Sequence, residues 1–519
     1  MRRYIIYLSF SVVSFLMLAC SGDKGNYDYV DLEEPVVKGL EDVHLMTFSE
    51  LAISPEFSDD RFLTDDYSFE WKAVDKNLAY DPVVLGTESE LRCKVTIPPG
   101  AYVLYYTVTE NKTGLYWRWN VNLTVSSSTS EGWMVLCSDR GRARLDVVSV
   151  VTGDVVKDVL RDNGMPQWNG PRKIQWLSDK TDASSPYYLL TDDGATRLGK
   201  DSFEWKPEYD FSYEVAVQDK LIPHCIISAG FGKMVVSGTD AHYCEIMGID
   251  GLYGSAVNKG FAVAPYVGAN VLATQVYAAL YMLYDVDNKR LMAYCPLLST
   301  NDLGALNPVA DMDEMGQIAE GIAPGSGVLG TAFDEWPQGY DLVYMENTRY
   351  DPGNAKMGMT YVILRKGNAC HLYGIQLGDM LRYADCTFVL GKGYYGDLSS
   401  CADILSGNVL YAFSSLKNYM YYAVEDTVYK VDLSSDDLKP EVQFTLPGEK
   451  ITCLKFNLYQ KTENMQRSYD LIVGSLKNED GILRIYEGRQ SDGDFRNVEP
   501  EIHEGFAEIV DVTYKERLY

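Results

Sequence analysis

The chain has 519 residues, too many for one ordinary domain. Its 46% apolar and 23% charged residues suit packed globular domains and exclude disorder or a collagen-like repeat. A formal charge of −28 opposes phosphate backbones and anionic lipid surfaces, so nucleic acid is not an expected partner.

Residues 1–19 read as a lipoprotein signal peptide. Arg2 and Arg3 precede the apolar stretch Ile5 to Ala19, which is too short to span a membrane and suits a signal h-region. It ends in Met17-Leu18-Ala19-Cys20, similar to a bacterial lipobox. The Cys20 thiol would take the diacylglycerol, and the membrane would be met only through that anchor. Residues 20–33 read as a flexible polar tether.

Residues 34–127 show short strands between turn residues. Tyr67, Phe69, Trp71 and Ala73 share one face of a strand, as do Tyr102, Leu104, Tyr106 and Val108 of another. From Trp117 to Val125 apolar and polar residues alternate without an error, the period of a half-buried antiparallel strand. Roughly seven such strands predict an immunoglobulin-like β-sandwich. Ser126 to Ser130 reads as a flexible linker.

Residues 131–519 repeat units of roughly 45–60 residues, each an apolar strand followed by a second one. Expected openers are Arg172 to Leu177, Cys225 to Ala229, Ala402 to Leu405 and Ile451 to Phe456. Expected second strands are Tyr187 to Leu190, Met234 to Ser237, Met420 to Val424 and Leu471 to Ser475. Asp193-Gly194, Asp250-Gly251, Asp287-Asn288 and Asp480-Gly481 are turn signals. The pattern predicts a β-propeller of about seven blades. Ala507 to Tyr514 reads as an opener lacking its second strand, and Gly132 to Cys137 as a second strand lacking its opener. Pairing them would close the ring. The fold class is therefore all-β, a sandwich followed by a propeller.

No catalytic motif, cofactor motif or metal site is found, and the chain is expected to be non-enzymatic. Gly325-Ser326-Gly327 is not a nucleophile elbow, and His503-Glu504 lacks the second His of a zinc protease. His224, Cys225, His242 and Cys244 form the tightest candidate metal cluster, but strand alternation turns His224 and Cys225 apart. Nine Cys besides Cys20 show no disulfide framework and read as buried apolar residues. Asp285, Asp287 and Asn288, and separately Asp311, Asp313 and Glu314, lack the EF-hand length and read as solvated turns. Thr191 to Thr196 falls one residue short of a sialidase-type Asp box and reads as a hairpin turn. Aromatics in loops are the candidate ligand contacts: Trp168, Trp205, Trp336, Tyr350, Tyr394 and Tyr395.

The lipobox Cys followed by Asp23-Lys24-Gly25-Asn26-Tyr27-Asp28-Tyr29 resembles the PKD-like family lipoproteins of Bacteroidota. The Trp71 and Tyr102 strands carry the PKD likeness, although the Trp-Asp-Phe-Gly-Asp-Gly run of true PKD domains is absent. The resemblance implies an outer-membrane lipoprotein, facing the exterior, that captures peptide or oligosaccharide beside a SusC-like TonB-dependent transporter and a SusD-like lipoprotein. A surface adhesin and a propeller-type hydrolase are the other classes left open.

Overall fold

The computed structural model describes residues 34–517 apart from 48, 77–81, 162, 178–186, 201–202, 246–250, 273–278, 297–304, 309–331, 354–355, 383–386, 402 and 460–464. The signal peptide, Cys20, the tether, and Asp311, Asp313 and Glu314 lie outside the described residues. Two compact units divide the chain, one up to Val125 and one from Ser126.

The first unit is built on a five-stranded sheet whose last four strands pair antiparallel. Its order is Val43–Met46, Tyr116–Ser126, Gly100–Glu110, Tyr67–Asp75 and Val83–Gly86. Alternation places Trp71, Leu104, Tyr106, Val121 and Leu123 inward, where they meet Leu51, Ile53 and Leu91. Trp71 stacks on Tyr106 at 4.1 Å, and its Nε1 donates to the Glu88 carbonyl. A full sandwich was expected, but among the described residues the strands outside the main sheet form only the pair Glu50–Ile53 and Leu91–Lys94 and a separate two-residue ladder. Short strands suffice there because the large aromatics of the main sheet fill most of the interior.

The Ser126 to Ser130 stretch contains a hydrogen-bonded turn. Ser126 and Ser130 are buried, and the Ser130 N–H and hydroxyl both donate to the Ser127 carbonyl. Short hydroxyl side chains that bond their own backbone make a turn as readily as a linker.

In the second unit the described residues form seven antiparallel sheets in chain order. Sheet II holds Pro171–Trp176, Tyr187–Thr191 and Ala195–Leu198, and sheet III holds Pro223–Ala229, Gly232–Ser237 and Asp240–Glu245. Sheets IV, V, VI and VII open with Gly268–Ala269, Asp341–Thr348, Val409–Phe413 and Lys450–Phe456 and have four strands each. Sheet I combines both ends of the unit: Glu508–Lys515 pairs with Gly132–Asp139, followed by Arg142–Ser149 and Val155–Val156. Apolar layers separate each sheet from the next, and the last packs sheet VII against sheet I through Ile472, Ile485, Trp133 and Val512. The order of sheets therefore closes on itself, an arrangement like that of a propeller.

Second strands such as Tyr187–Thr191 and Tyr281–Asp285 are buried along their whole length. Covered on both faces, they show continuous apolar runs instead of alternation. Two sequence expectations fail locally. Ala402 to Leu405 does not open sheet VI, since Asp403 to Leu405 form a turn and Ile404 is a buried plug. The hairpin between the second and third strands of sheet VII turns at Asn478 and Glu479, at φ 49° and 71°, while Asp480 and Gly481 already pair as strand. No helix among the described residues is long and apolar enough to cross a membrane.

Candidate functional site

A cleft of about 590 Å³ opens between sheets II and III, where their first strands begin and their second strands turn into the third. Its polar lining includes Arg172, Asp192, Asp219, Lys220, His224 and Asp240. A smaller hollow of about 320 Å³ shares Val217, Asp219, Lys220 and Leu221 with it and extends toward Gly194.

Local sequence builds a stiff rim. The buried Thr191 closes the hairpin of sheet II, its hydroxyl donating to the Gly194 carbonyl and accepting from the Asp193 N–H. Asp193 accepts from both the backbone N–H and the side-chain amide of Asn169, which pins the loop carrying Trp168. Gly170 sits at φ 60°, and a Cβ there would lie 1.9 Å from the Asp192 carboxylate. Only glycine lets the loop pass so close. Lys220 donates to the Asp193 carbonyl at 2.6 Å, and the Ile222 N–H donates to Ser237, tying the intervening segment to both hairpins.

The electrostatics follow from three side chains. Arg172 Nε donates to Asp192 at 2.6 Å, and Arg172 Nη1 lies 2.7 Å from His224 Nδ1. A guanidinium only donates, so Nδ1 is the acceptor and the imidazole carries its proton on Nε2. Burial and then the Arg172 charge pull the His224 pKa below its ordinary value, against the opposing pull of Asp192. His224 is therefore neutral at neutral pH, with one N–H to offer a ligand.

Of the six aromatics expected to contact ligand, Trp168 approaches Gly194, a lining residue of the smaller hollow. Its ring tip and the Lys220 ammonium both approach Gly194, at 3.7 and 3.8 Å from where a Cβ would be. Trp336 is a core residue instead, 7% exposed between sheets IV and V and edge-on to Phe333. Trp205 is half-buried, with Nε1 donating to Thr196. Tyr394 packs into the layer between sheets V and VI, and Tyr350 is half-buried. Tyr395 is 41% exposed and stacks on His371 in sheet V. None of the six, Trp168 included, lines either hollow of the cleft. Sequence reasoning did not single out Arg172, Asp219, Lys220 or Asp240, and it considered His224 only as a metal ligand and set that reading aside.

The other candidates resolve as structure. Among the described residues no group of three His, Cys, Asp or Glu is placed for a metal. His242 bonds the Gly254 carbonyl, and Cys244 donates to that of Gly251. Asp285 is fully buried rather than solvated, accepting from the N–H groups of Asp287 and Asn288, the Asn288 amide and Arg290. A carboxylate so surrounded by donors has no need of calcium. The seven described cysteines are free, six of them buried.

A second polar cluster joins the opening strands inside the ring. Asp511 accepts from Lys455 at 2.7 Å and from the Ile174 N–H at 3.0 Å. Glu346 accepts from the Tyr344 hydroxyl and the Phe413 N–H. Burial raises the Glu346 pKa from 4.5 to about 7, although those hydrogen bonds and the charges of Lys455 and Lys173 favour ionisation. Because the folded value lies above the unfolded one, this group's contribution is most favourable below pH 4.5 and declines as pH rises toward 7. The full shift amounts to roughly 3 kcal/mol, and the partial solvent access of Glu346 reduces it to about 2 kcal/mol. Glu346→Gln should thus be more stable than wild type by about that amount at pH 8 and equal to it at pH 4.5, in denaturant titrations at both pH values. Equal stabilities at pH 8 would show that Glu346 ionises at its ordinary pKa.

Comparison with known proteins bears mainly on the first unit. Residues 20–171 match the PKD-like family. The match spans the first unit and runs into the opening strand of sheet II. No curated protein matches the chain. Among solved structures, a quinonprotein alcohol dehydrogenase-like protein from Bacteroides thetaiotaomicron is 12% identical, covering 93% of this chain and 99% of that one at a TM-score of 0.41. The WD40 domain of SCAP from fission yeast is 9% identical, covering 64% and 74% at 0.33. The extracellular domain of a one-component system from B. thetaiotaomicron is 10% identical, covering 82% and 51% at 0.24. Likenesses this loose carry no functional argument.

Proposed function

We propose that the protein is a non-enzymatic outer-membrane lipoprotein, anchored through Cys20 and facing the exterior. In this reading the second unit is a seven-bladed propeller, and the cleft between its second and third blades captures a peptide or oligosaccharide. A SusC-like transporter and a SusD-like lipoprotein would take the captured molecule onward.

The observation that carries the capture reading is the cleft itself. Its size falls within the roughly 300–1,000 Å³ of small-ligand sites, and Arg172, His224 and Lys220 are held by protein partners before any ligand arrives. The same geometry favours binding over catalysis. The accepting nitrogen of His224 is spent on Arg172, which leaves the imidazole a donor and not a general base. The anchor and the transport partners rest on the sequence resemblance at residues 20–29.

A tagged pull-down from mildly solubilised outer membranes, with mass spectrometry, tests the assignment. A SusC-like and SusD-like pair recovered in near-equal amounts is the expected result. Recovery of the lipoprotein alone would sever it from transport.

A further inference from the structure

The cleft carries side chains of both charge signs. On the sheet II side Arg172 uses Nε and Nη1, which leaves Nη2 without a bond among the described residues. Lys220, reaching across to the Asp193 carbonyl, spends one of its three N–H donors there. At the hairpin of sheet III stands Asp240, exposed, with Asn258 Nδ2 at 3.5 Å its nearest side-chain partner. Asp219, also exposed, has no ion pair among the described residues. Asp192 already compensates Arg172. One cation and two carboxylates thus face the cavity without a fixed counter-charge.

We infer that the cleft binds a short unblocked peptide by its two ends, the terminal carboxylate against Lys220 and Arg172 and the terminal ammonium against Asp240 at the sheet III hairpin. This deepens the capture reading and rests on it. A neutral sugar would leave three charges facing it without a partner, and a purely anionic ligand would meet two carboxylates. A zwitterion answers both signs at once. A tetrapeptide spans about 13 Å when extended, the scale of a cavity of this volume.

The test needs no substitution for its first arm. Calorimetry on the detergent-solubilised full-length lipoprotein would compare a library of free tetrapeptides, the same library N-acetylated and C-amidated, and maltotetraose. Free peptides should bind, and blocking either end should weaken binding about tenfold or more. Lys220→Gln should reproduce the amidation effect and add little to it, and Asp240→Asn should do the same for acetylation. Both side chains are exposed, so matched thermal unfolding of the variants is expected. Blocked peptides binding as well as free ones, or maltotetraose binding alone, would overturn the peptide assignment and leave the cleft as a capture site. Binding of no probe would overturn the capture reading as well.

Discussion

Ending the chain at Ala507 should abolish the cooperative unfolding of the second unit. The strand Glu508–Lys515 supplies the opening strand of sheet I and pairs along its length with Gly132–Asp139. It buries Ile509, Val512 and Tyr514, and Tyr514 meets Trp133 edge-on at 4.8 Å. At about 2 kcal/mol for each buried side chain, removal forfeits roughly 6 kcal/mol before any ladder hydrogen bond is counted. Total stabilities of about 5–15 kcal/mol leave little after such a loss. The truncation also exposes the edge of Gly132–Asp139, a template for aggregation. Calorimetry of the full-length chain and of the chain ended at residue 507 should show one transition surviving, that of the first unit, whose core is its own. A second transition within a few degrees of wild type would mean that ring closure contributes little. Trp133→Ala is the milder form, with an expected cost of about 3–5 kcal/mol.

The closing pair was legible in the sequence because each partner was an orphan, one opener without a second strand and one second strand without an opener. The alternation of Trp117 to Val125 was equally plain, since a sheet with one wet face writes its burial into every second residue. Turns were harder. Asn478 and Glu479 adopt left-handed backbone without a glycine, so Asp480-Gly481, two residues later, drew the assignment. Ile404 shows why a short apolar run is ambiguous: a plug between sheets needs the same residues as a strand. The cleft could not be read at all. Arg172, Asp192, Lys220 and His224 spread over more than fifty residues, and only the stacking of sheets II and III brings them together. Loop aromatics are an ambiguous signal, because a side chain such as Trp336 that packs between two sheets also sits in a loop. Trp168 differs only in that Asn169 and Gly170 hold its loop against the hairpin of sheet II.

Asp511→Ala should destabilise the second unit by about 3 kcal/mol, more than its position on a terminal strand suggests. This one carboxylate ties three sheets together, standing on sheet I while accepting from Lys455 of sheet VII and the Ile174 N–H of sheet II. Burial alone would lower the Lys455 pKa, yet Asp511, Cys453 and Glu346 more than offset it and leave it raised. Lys455 therefore depends on Asp511 for its charged state. Breaking a buried pair costs about 3–5 kcal/mol because the remaining charge is stranded, and the 29% exposure of the Lys455 side chain places the cost at the lower end. Ile174 would also lose the acceptor for its N–H, at about 1 kcal/mol or more. Lys455→Met should restore part of the loss when combined with Asp511→Ala, since an apolar residue leaves no stranded charge. Denaturant titrations of the two single variants and the double variant give the coupling directly. Additive costs would mean that the two side chains are held independently. A double variant more stable than Asp511→Ala alone would identify the pair as the pin between the chain's last strand and its neighbouring sheets.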